Sequence, residues 1–207
     1  MARNLQPIVK QSRREGYALH PKAHKALAKR ATGPGQQTNG RNSRNKPSQY
    51  AIQLREKQKV KRLYGLLERQ FKKLMVEASR TQGQSGEQLL IFLEQRMDNA
   101  VYRSGLAVSR RAARQLVTHG HFMLNDRRVD IPSIRLKAGD VLVVRDGSKN
   151  TEYFKKIDEV SPGGQENEAK WLTVNRKKLE IKITGAPTRE EVEPDINEQL
   201  IVEYYSR

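Results

Sequence analysis

The feature that most constrains this chain is the uneven distribution of its positive charge. Residues 1–80 contain 20 lysines and arginines but only 4 acidic residues, a net charge of +16, whereas residues 81–207 are nearly neutral at +1. A segment so charged repels itself unless a polyanion neutralises it, and solubility alone needs a much smaller net charge. The asymmetry therefore indicates a nucleic-acid-binding protein with a basic N-terminal region.

The composition excludes several other classes of protein. With 207 residues, the chain has room for one or two modest domains. It has no cysteine, which excludes a disulfide, a thiolate metal site and a thiol nucleophile. No apolar run approaches the roughly 20 residues of a membrane span, and no apolar segment follows Arg3 as it would in a signal peptide. We therefore expect a soluble intracellular protein that needs no cofactor and contacts no membrane.

Residues 1–47 have the composition of an extended arm. They include four prolines and a run of glycine and polar residues at 32–40 that is typical of a loop. A short helix is possible at 22–30, between Pro21 and Gly33. The segment has too little apolar surface to fold by itself, so we expect it to become ordered on its partner.

The next segment, 48–86, is predicted to be the helical region of an N-terminal domain. Ser48 is a suitable N-cap, and apolar residues recur at helical spacing between 50 and 78. Gly65 weakens the pattern, so one helix and two helices joined by a bend fit equally well. Lysines and arginines dominate the polar faces, which favours contact with phosphates over a merely solvated surface.

A smaller domain is predicted at 94–157. Amphipathic helices are expected at 87–103 and 110–119, with Ser109 as the N-cap of the second. From residue 121 the hydrophobic period changes to two, and the turn Asn125-Asp126 predicts a β-hairpin.

Residues 158–207 are predicted to supply further strands and a tail that packs back on the N-terminal helices. Strands are expected at 171–174 and 179–184, in addition to one at 141–145. The predicted fold class is therefore α+β, with an extended basic arm, a helical N-terminal domain, and a helix–turn–helix followed by a β-hairpin and sheet.

Lysines and arginines are the candidate RNA contacts. Those nearest the helix–turn–helix are Arg103, Arg110, Arg111, Arg114, Arg127 and Arg128. The N-terminal candidates are Arg3, Lys10, Arg13, Arg14, Arg44, Lys46, Arg55, Lys57, Lys59, Lys61, Arg62, Arg69, Lys72 and Lys73. The N-terminus of the second helix favours an anion, and arginine forks match phosphate oxygens. Some of these arginines could instead only cover apolar side chains.

Several motifs resemble a known family. One group of motifs resembles the small RNA-binding domain that is named after small-subunit ribosomal protein four. These motifs are RMDNAVYRSG at 96–105, SRRAARQLV at 109–117 and VDIPS at 129–133. The resemblance extends to the bacterial ribosomal protein family itself through SRREG at 12–16, QLREKQKV at 53–60 and DINE at 195–198. It covers essentially the whole chain.

The resemblance implies a structural constituent of the ribosome and not an enzyme. Family members are primary binders of the 5′ domain of 16S ribosomal RNA in the cytoplasmic small ribosomal subunit, where they nucleate 30S assembly and contribute to translational accuracy. The implied partners are small-subunit ribosomal proteins five and three, and mRNA near the channel through which it enters. The expected protein-interface residues are Glu191, Glu193, Asp195, Leu200, Val202 and Tyr204.

The chain departs from the family in two places. Many relatives have early cysteines that form a zinc knuckle, whereas Val9 and Ser12 stand at the comparable positions here, so no metal site is implied. The family's hairpin turn usually reads Asn-Gly, but this one reads Asn125-Asp126. Because Asp tolerates the left-handed region less well than Gly, we expect a slightly shifted turn.

Two other classes of function fit parts of the sequence. A helix–turn–helix also describes a DNA-binding regulator, which would bind duplex DNA tightly. The tripeptide at 96–98 faintly resembles a catalytic motif of pseudouridine synthases, and an enzyme of that class would depend on Asp98. The basic residues extend far outside the helix–turn–helix, and the chain has no room for a separate catalytic domain. We therefore favour the ribosomal function and expect Asp98 to pair with a neighbouring arginine.

Overall fold

The chain folds into two compact units. The computed structural model describes residues 4–30, 32–35, 46–161 and 169–206. The N-terminal unit runs to Gln88 and includes the chain again from Asp195, whereas the central unit is Leu89–Pro194. The region that we predict as one C-terminal piece, 158–207, therefore contributes to both units, because its strands complete the sheet of one and its last helix packs in the other.

The described part of the N-terminal unit is built from helices. They are α1 (Ile8–Glu15), α2 (Pro21–Lys29), α3 (Gln49–Leu63), α4 (Glu68–Ala78) and α11 (Glu198–Tyr205), and α5 (Ser85–Glu94) contains the boundary with the central unit. Over the described residues, no helix has the length and apolarity that crossing a membrane requires.

Two of these helices lie within the predicted arm, 1–47, which is therefore partly helical. The helix expected near 22–30 is α2, and it begins where Nδ1 of His20 accepts a hydrogen bond from the backbone N–H of the second helical residue. The sequence does not reveal α1 because few of its residues are apolar. Its fold depends instead on Ser12, whose buried hydroxyl donates to the carbonyl oxygen of Ile8 and accepts from the N–H of Leu19.

A bend divides the helical segment that follows. Ser48 caps α3 by accepting a hydrogen bond from the N–H of Ala51 at 3.2 Å, as predicted. Gly65 has a φ of +65°, which glycine adopts at little cost, so the chain forms two helices and not one. Helix α11 packs on α3. The residues buried along α3 and α4 include Val60, Leu63, Phe71 and Met75.

The central unit combines two helices with an antiparallel sheet. The helices are α6 (Met97–Arg103) and α7 (Arg110–Thr118). The strands are β1 (Phe122–Leu124), β2 (Arg127–Val129), β3 (Val141–Val144), β4 (Leu172–Asn175) and β5 (Glu180–Ile183), in the order β2-β1-β3-β5-β4. Three helical turns follow β3: α8 (Asp146–Lys149), α9 (Glu152–Lys155) and α10 (Ile157–Val160). The predicted α+β class is confirmed.

The hairpin between β1 and β2 is regular, in spite of its unusual second residue. Asn125 and Asp126 have φ angles of 47° and 63°, the pattern of a type I′ turn. The side chain of Asn125 holds the turn in place: its Oδ1 accepts from the N–H of Val141 and its Nδ2 donates to Asp140, both at 2.9 Å. These bonds fix Asn125, the first residue of the turn, and Asp126 lies in the left-handed region at the position where the resemblance leads us to expect Gly.

One hydrophobic core joins the helices of the central unit to its sheet. Val101 of α6 and Val117 of α7 belong to the same buried cluster as Phe122, Leu142 and Ile181 of three strands, and all five are 0% exposed. Burying one such side chain fully contributes about 1.5–3 kcal/mol. The helix–turn–helix is therefore fixed to the sheet, which sets the direction in which its polar residues point.

Candidate nucleic-acid interface

A cation attracts RNA most strongly where a carboxylate of the fold does not already neutralise it. On α3, all five predicted contacts are paired with carboxylates: Arg55, Lys57, Lys59, Lys61 and Arg62. The Nζ of Lys59, for example, lies 2.8 Å from Oε1 of Glu56 and donates to the carbonyl oxygen of Asp195 at 2.6 Å. The basic surface predicted for α3 is thus largely used inside the N-terminal unit.

Glu68 of α4 takes two of these lysines. Lys57, only 3% exposed, donates to its Oε1 at 2.7 Å, and Lys61 donates to its Oε2 at 2.9 Å. Burial alone would raise the pKa of Glu68, but hydrogen bonds from Lys57, Lys61 and Tyr205 lower it to about 2. The two lysines therefore hold α3 against α4.

Glu15 links α1 to α3. Its side chain is fully buried, and its Oε1 accepts from Arg55 at 3.3 Å and from Arg62. Burial raises the pKa of Glu15, although the two arginines oppose this. Arg13 is also used within the unit, since it donates to the carbonyl oxygens of residues 32–33 at 3.1 and 3.3 Å. These arginines hold the first helices together.

The exposed cations of the N-terminal unit lie mainly on α1, α2 and α4. Among the predicted contacts the exposed ones are Lys10, Arg14, Lys46, Arg69, Lys72 and Lys73. Arg3 and Arg44 lie outside the described residues. Exposed cations that the sequence reasoning missed are Lys22, Lys25, Lys29, Arg30 and Arg80. The three lysines of α2 recur at i, i+3 and i+7, which places them on one face of the helix. This spacing in the sequence predicts a basic helix face.

In the helix–turn–helix, two predicted arginines are bound by carboxylates. Arg103 donates from Nε and Nη2 to the two oxygens of Glu94, each at 3.0 Å, and Glu94 is 0% exposed. Arg110 donates from Nε to Oδ1 of Asn99 at 2.9 Å and from Nη2 to Oε1 of Glu193 at 3.0 Å. The same Glu193 oxygen lies 3.7 Å from Nη2 of Arg103.

Asp98 contacts two arginines, Arg96 and the predicted RNA contact Arg114. Arg96 donates to both oxygens of Asp98, at 3.0 and 2.8 Å, and all four of these atoms belong to buried residues. The prediction that Asp98 pairs with a neighbouring arginine is confirmed. Arg114 lies 3.6 Å from the same carboxylate. Arg103, Arg110 and Arg114 are thus neutralised within the central unit, because the fold brings acidic side chains to them.

The remaining predicted cations of the central unit are exposed. Arg111 lies in the first turn of α7, and Arg127 and Arg128 lie on β2. The guanidinium of Arg128 packs over Gly120, where a Cβ atom would lie only 2.8 Å from its Nε. The hairpin therefore lies beside the C-terminal end of α7, so that Arg111 and Arg128 mark opposite ends of that helix, about 13 Å apart along its axis.

Three further cationic or titratable residues, which are not among the predicted RNA contacts, lie near this end of α7. Arg145 is exposed, and its N–H donates to the carbonyl oxygen of His121 at 2.9 Å. The rings of His119 and His121 lie 5.9 Å apart. Burial lowers the pKa of His121, and the positive charges of His119 and Arg145 lower it further. Only the fold brings Arg145 to these two histidines, since β3 pairs with β1 across a long connection.

The predicted protein-interface residues divide between the two units. Glu193 is paired with arginines, and Oε2 of Glu191 accepts from the N–H and hydroxyl of Thr188 at 2.8 and 3.1 Å. These two carboxylates are therefore engaged inside the central unit. In the N-terminal unit, Asp195 is exposed. Leu200, Val202 and Tyr204 belong to α11 and are partly buried. The ring of Tyr204 lies 4.4 Å from Nζ of Lys57 and 5.7 Å from the ring of Tyr50.

The exposed cations of each unit can bind anions. Exposed lysines and arginines are hydrogen-bond donors that keep their charge at neutral pH. In the described part of the chain, no group of three or more His, Asp or Glu side chains is arranged to hold a metal ion. His20, one of the few histidines, serves as the cap of α2.

Two family models and several known proteins match this chain. Residues 3–94 match the model of the ribosomal protein S4/S9 N-terminal domain, and residues 95–142 match that of the S4 domain. Three similar proteins are each named small ribosomal subunit protein uS4. They come from Clostridioides difficile (47% identical), Halothermothrix orenii (46%) and Roseiflexus castenholzii (45%).

In each of these comparisons the alignment covers 100% of both chains. Identity at this level over the full length leaves no segment of the chain outside the resemblance. The family expected from the sequence motifs is thereby confirmed, and this chain belongs to the uS4 family of small ribosomal subunit proteins.

Proposed function

We propose that this protein is a primary binder of the 5′ domain of 16S ribosomal RNA and that it nucleates assembly of the 30S subunit. One observation carries the proposal. Residues 1–55 contain 12 lysines and arginines and a single acidic residue, Glu15, whose side chain is fully buried. No acidic side chain of this segment is therefore left on the surface to oppose a polyanion.

The general function follows from membership of the uS4 family. The protein is a structural constituent of the small ribosomal subunit, binds ribosomal RNA, acts in the cytoplasmic ribosome and is not an enzyme.

The RNA contacts that we propose are the exposed cations. In the N-terminal unit these are the lysines of α2 and the basic residues of α1 and α4, and in the central unit they are Arg111, Arg127 and Arg128. Affinity then comes from phosphate neutralisation, and specificity comes from the RNA shape that places phosphates opposite both sets of cations. The paired arginines of α3 act indirectly, by holding the helices that carry the exposed lysines.

We further propose that ribosomal proteins five and three bind the N-terminal unit near α11, and that the protein contributes to translational accuracy near the channel through which mRNA enters. Exposed apolar side chains support a protein contact there. Tyr50 is 48% exposed and lies against Tyr204, and Ile52 is 38% exposed on the same helix as Tyr50. Aromatic side chains of this kind are enriched in protein interfaces.

A competition experiment tests the RNA proposal. The full chain is bound to a labelled transcript of the 5′ domain at moderate salt and is then challenged with excess unrelated RNA or duplex DNA. We expect the transcript to be retained against both competitors. Equal loss to every competitor would show a merely polyanion-binding protein, and preferential loss to duplex DNA would favour a DNA-binding regulator.

A further inference from the structure

We propose that Arg103 and Arg110 form a phosphate-binding site for RNA, and that the chain's own Glu193 carboxylate occupies this site in the free protein. The inference rests on the proposed function, because the phosphate would belong to ribosomal RNA. It changes the role of Glu193, which we predict from the sequence as a contact for a partner protein.

Two guanidinium groups converge on one oxygen atom. Oε1 of Glu193 lies 3.0 Å from Nη2 of Arg110 and 3.7 Å from Nη2 of Arg103. Guanidinium N–H groups bind carboxylate and phosphate oxygens alike, and here one Nη2 of each arginine faces the Glu193 oxygen. The position of this carboxylate oxygen is therefore one that a phosphate oxygen can take.

Both guanidinium groups are held from behind by residues other than Glu193. Arg103 is fixed by its two hydrogen bonds to the buried Glu94. Arg110 donates to Asn99 at 2.9 Å, and its guanidinium carbon lies 4.6 Å from the centre of the Tyr102 ring. Because these contacts do not involve Glu193, its departure would leave the two donors in place and aimed at the same point.

Glu193 is the most exposed member of the group. Its side chain is 23% exposed, against 12% for Arg103 and 13% for Arg110. It lies outside the sheet, two residues beyond the 3₁₀ turn Arg189–Glu191 and before the exposed Pro194. Moving this carboxylate aside therefore need not disturb any strand.

The charges around Glu193 favour its replacement by a phosphate only where that phosphate is held in the right position. Glu94, Arg103, Arg110 and Glu193 are formally neutral together, and displacing Glu193 leaves one net positive charge for the incoming phosphate. An RNA that merely passes the surface must compete with a carboxylate that is always present. An RNA whose shape holds a phosphate at this point can displace it. Glu193 thus acts as negative selection against other polyanions.

Variants of two neighbouring glutamates test the proposal. Glu193→Ala and, as the matched control, Glu190→Ala each remove one negative charge from the same segment, and Glu190 is exposed. The dissociation constant for the 5′-domain transcript is measured with the full chain over a series of salt concentrations. We expect Glu193→Ala to bind the transcript about tenfold more tightly, because no carboxylate then has to be displaced from the two arginines. We expect Glu190→Ala to change affinity by less than about twofold.

A second pair of variants locates the effect. In an Arg110→Ala background, Glu193→Ala is expected to give no gain, since the site is then incomplete. If Glu193→Ala lowers the unfolding temperature so far that binding cannot be compared, Glu193→Gln removes the charge while keeping a hydrogen-bond acceptor, and a gain in the same direction is expected.

Two results would overturn the proposal. Equal gains from the Glu193 and Glu190 variants would show an effect of net charge only. Weaker binding by a stably folded Glu193 variant would show that this carboxylate positions the arginines for RNA. A wild-type chain without preference for the transcript would refute the proposed function instead, and the comparison of the two glutamate variants on any RNA would still decide the phosphate site.

Discussion

The lysines of α2 and the arginines of α6 and α7 differ in what lies beside them. Lys22, Lys25 and Lys29 are exposed along one face of a helix, whereas Arg103 and Arg110 are 12% and 13% exposed and lie against carboxylates. Lysine is a compact, hydrated charge on a flexible stem, and arginine is a planar fork that suits buried pairs. Positive residues of equal formal charge therefore face solvent in one region and are held by carboxylates of the fold in the other.

The largest effect is expected from removing a buried carboxylate of the central unit. Glu94→Ala would leave Arg103, whose side chain is only 12% exposed, without its bidentate partner, which costs about 3–5 kcal/mol in the free energy of unfolding. Chemical denaturation followed by circular dichroism measures this loss, with Glu190→Ala as the exposed control. A loss below about 1 kcal/mol would place this pair with ordinary surface pairs and would remove the contrast with α2.

The next largest effect is expected on RNA affinity. Replacing Lys22, Lys25 and Lys29 together by Gln should reduce the salt slope by roughly 2–3 and weaken binding to the 5′-domain transcript about a hundredfold at moderate salt. Gln keeps good helix propensity, so unfolding should change by less than about 0.5 kcal/mol.

The control for this triple variant removes three exposed lysines from the central unit, namely Lys155, Lys177 and Lys178. A similar loss of affinity in both triple variants would mean that total charge matters and that α2 has no special place on the RNA.

A single pair of arginines on α7 sharpens the comparison. Arg111 is exposed, whereas Arg114 lies 3.6 Å from the buried Asp98. We expect Arg111→Gln to reduce the salt slope by about one unit and to lower stability less than Arg114→Gln does. Arg114→Gln should leave the slope unchanged and lower stability. Binding isotherms and denaturation curves for the two variants measure both effects. A smaller salt slope for Arg114→Gln than for Arg111→Gln would show that Arg114 contacts RNA.

The smallest effect is expected on stability, from the contact of Glu68 with Lys57 and Lys61. The pKa of Glu68 falls from an ordinary 4.5 to about 2, through hydrogen bonds from Lys57, Lys61 and Tyr205 that outweigh burial. A carboxyl group whose pKa is lowered by folding stabilises the fold above pH 4.5 and loses that contribution as the pH falls towards 2. Because the Glu68 side chain is 45% exposed, we expect a contribution on the order of 1 kcal/mol.

The measurement is the difference in unfolding free energy between wild type and Glu68→Gln as a function of pH. Subtraction is needed because Glu15, whose pKa burial raises, titrates with the opposite sign. The difference should shrink below pH 4.5. A difference that is independent of pH would show that the lysines do not stabilise the ionised form.

Local patterns in the sequence predict much of this fold. Ser48 and Ser109 cap helices where expected, the break at Gly65 is one of the two arrangements that the pattern allows, and the period of two after residue 121 predicts the hairpin. Each of these features depends on neighbouring residues, so a linear pattern contains them. Helix α1 is not predictable in this way, since the buried hydroxyl of Ser12 and the long-range partner of Glu15 define it.

The sequence by itself determined the family, the α+β class and the excess of positive charge at the N-terminus, because motifs, hydrophobic periods and charge are properties of residue order. Only the tertiary structure decided which cations face solvent. Arg110 meets Glu193 across 83 residues of sequence, and its neighbour Arg111, one position along the same helix, stays exposed. Neutralisation requires a carboxylate within about 4 Å, and only packing brings two distant residues that close.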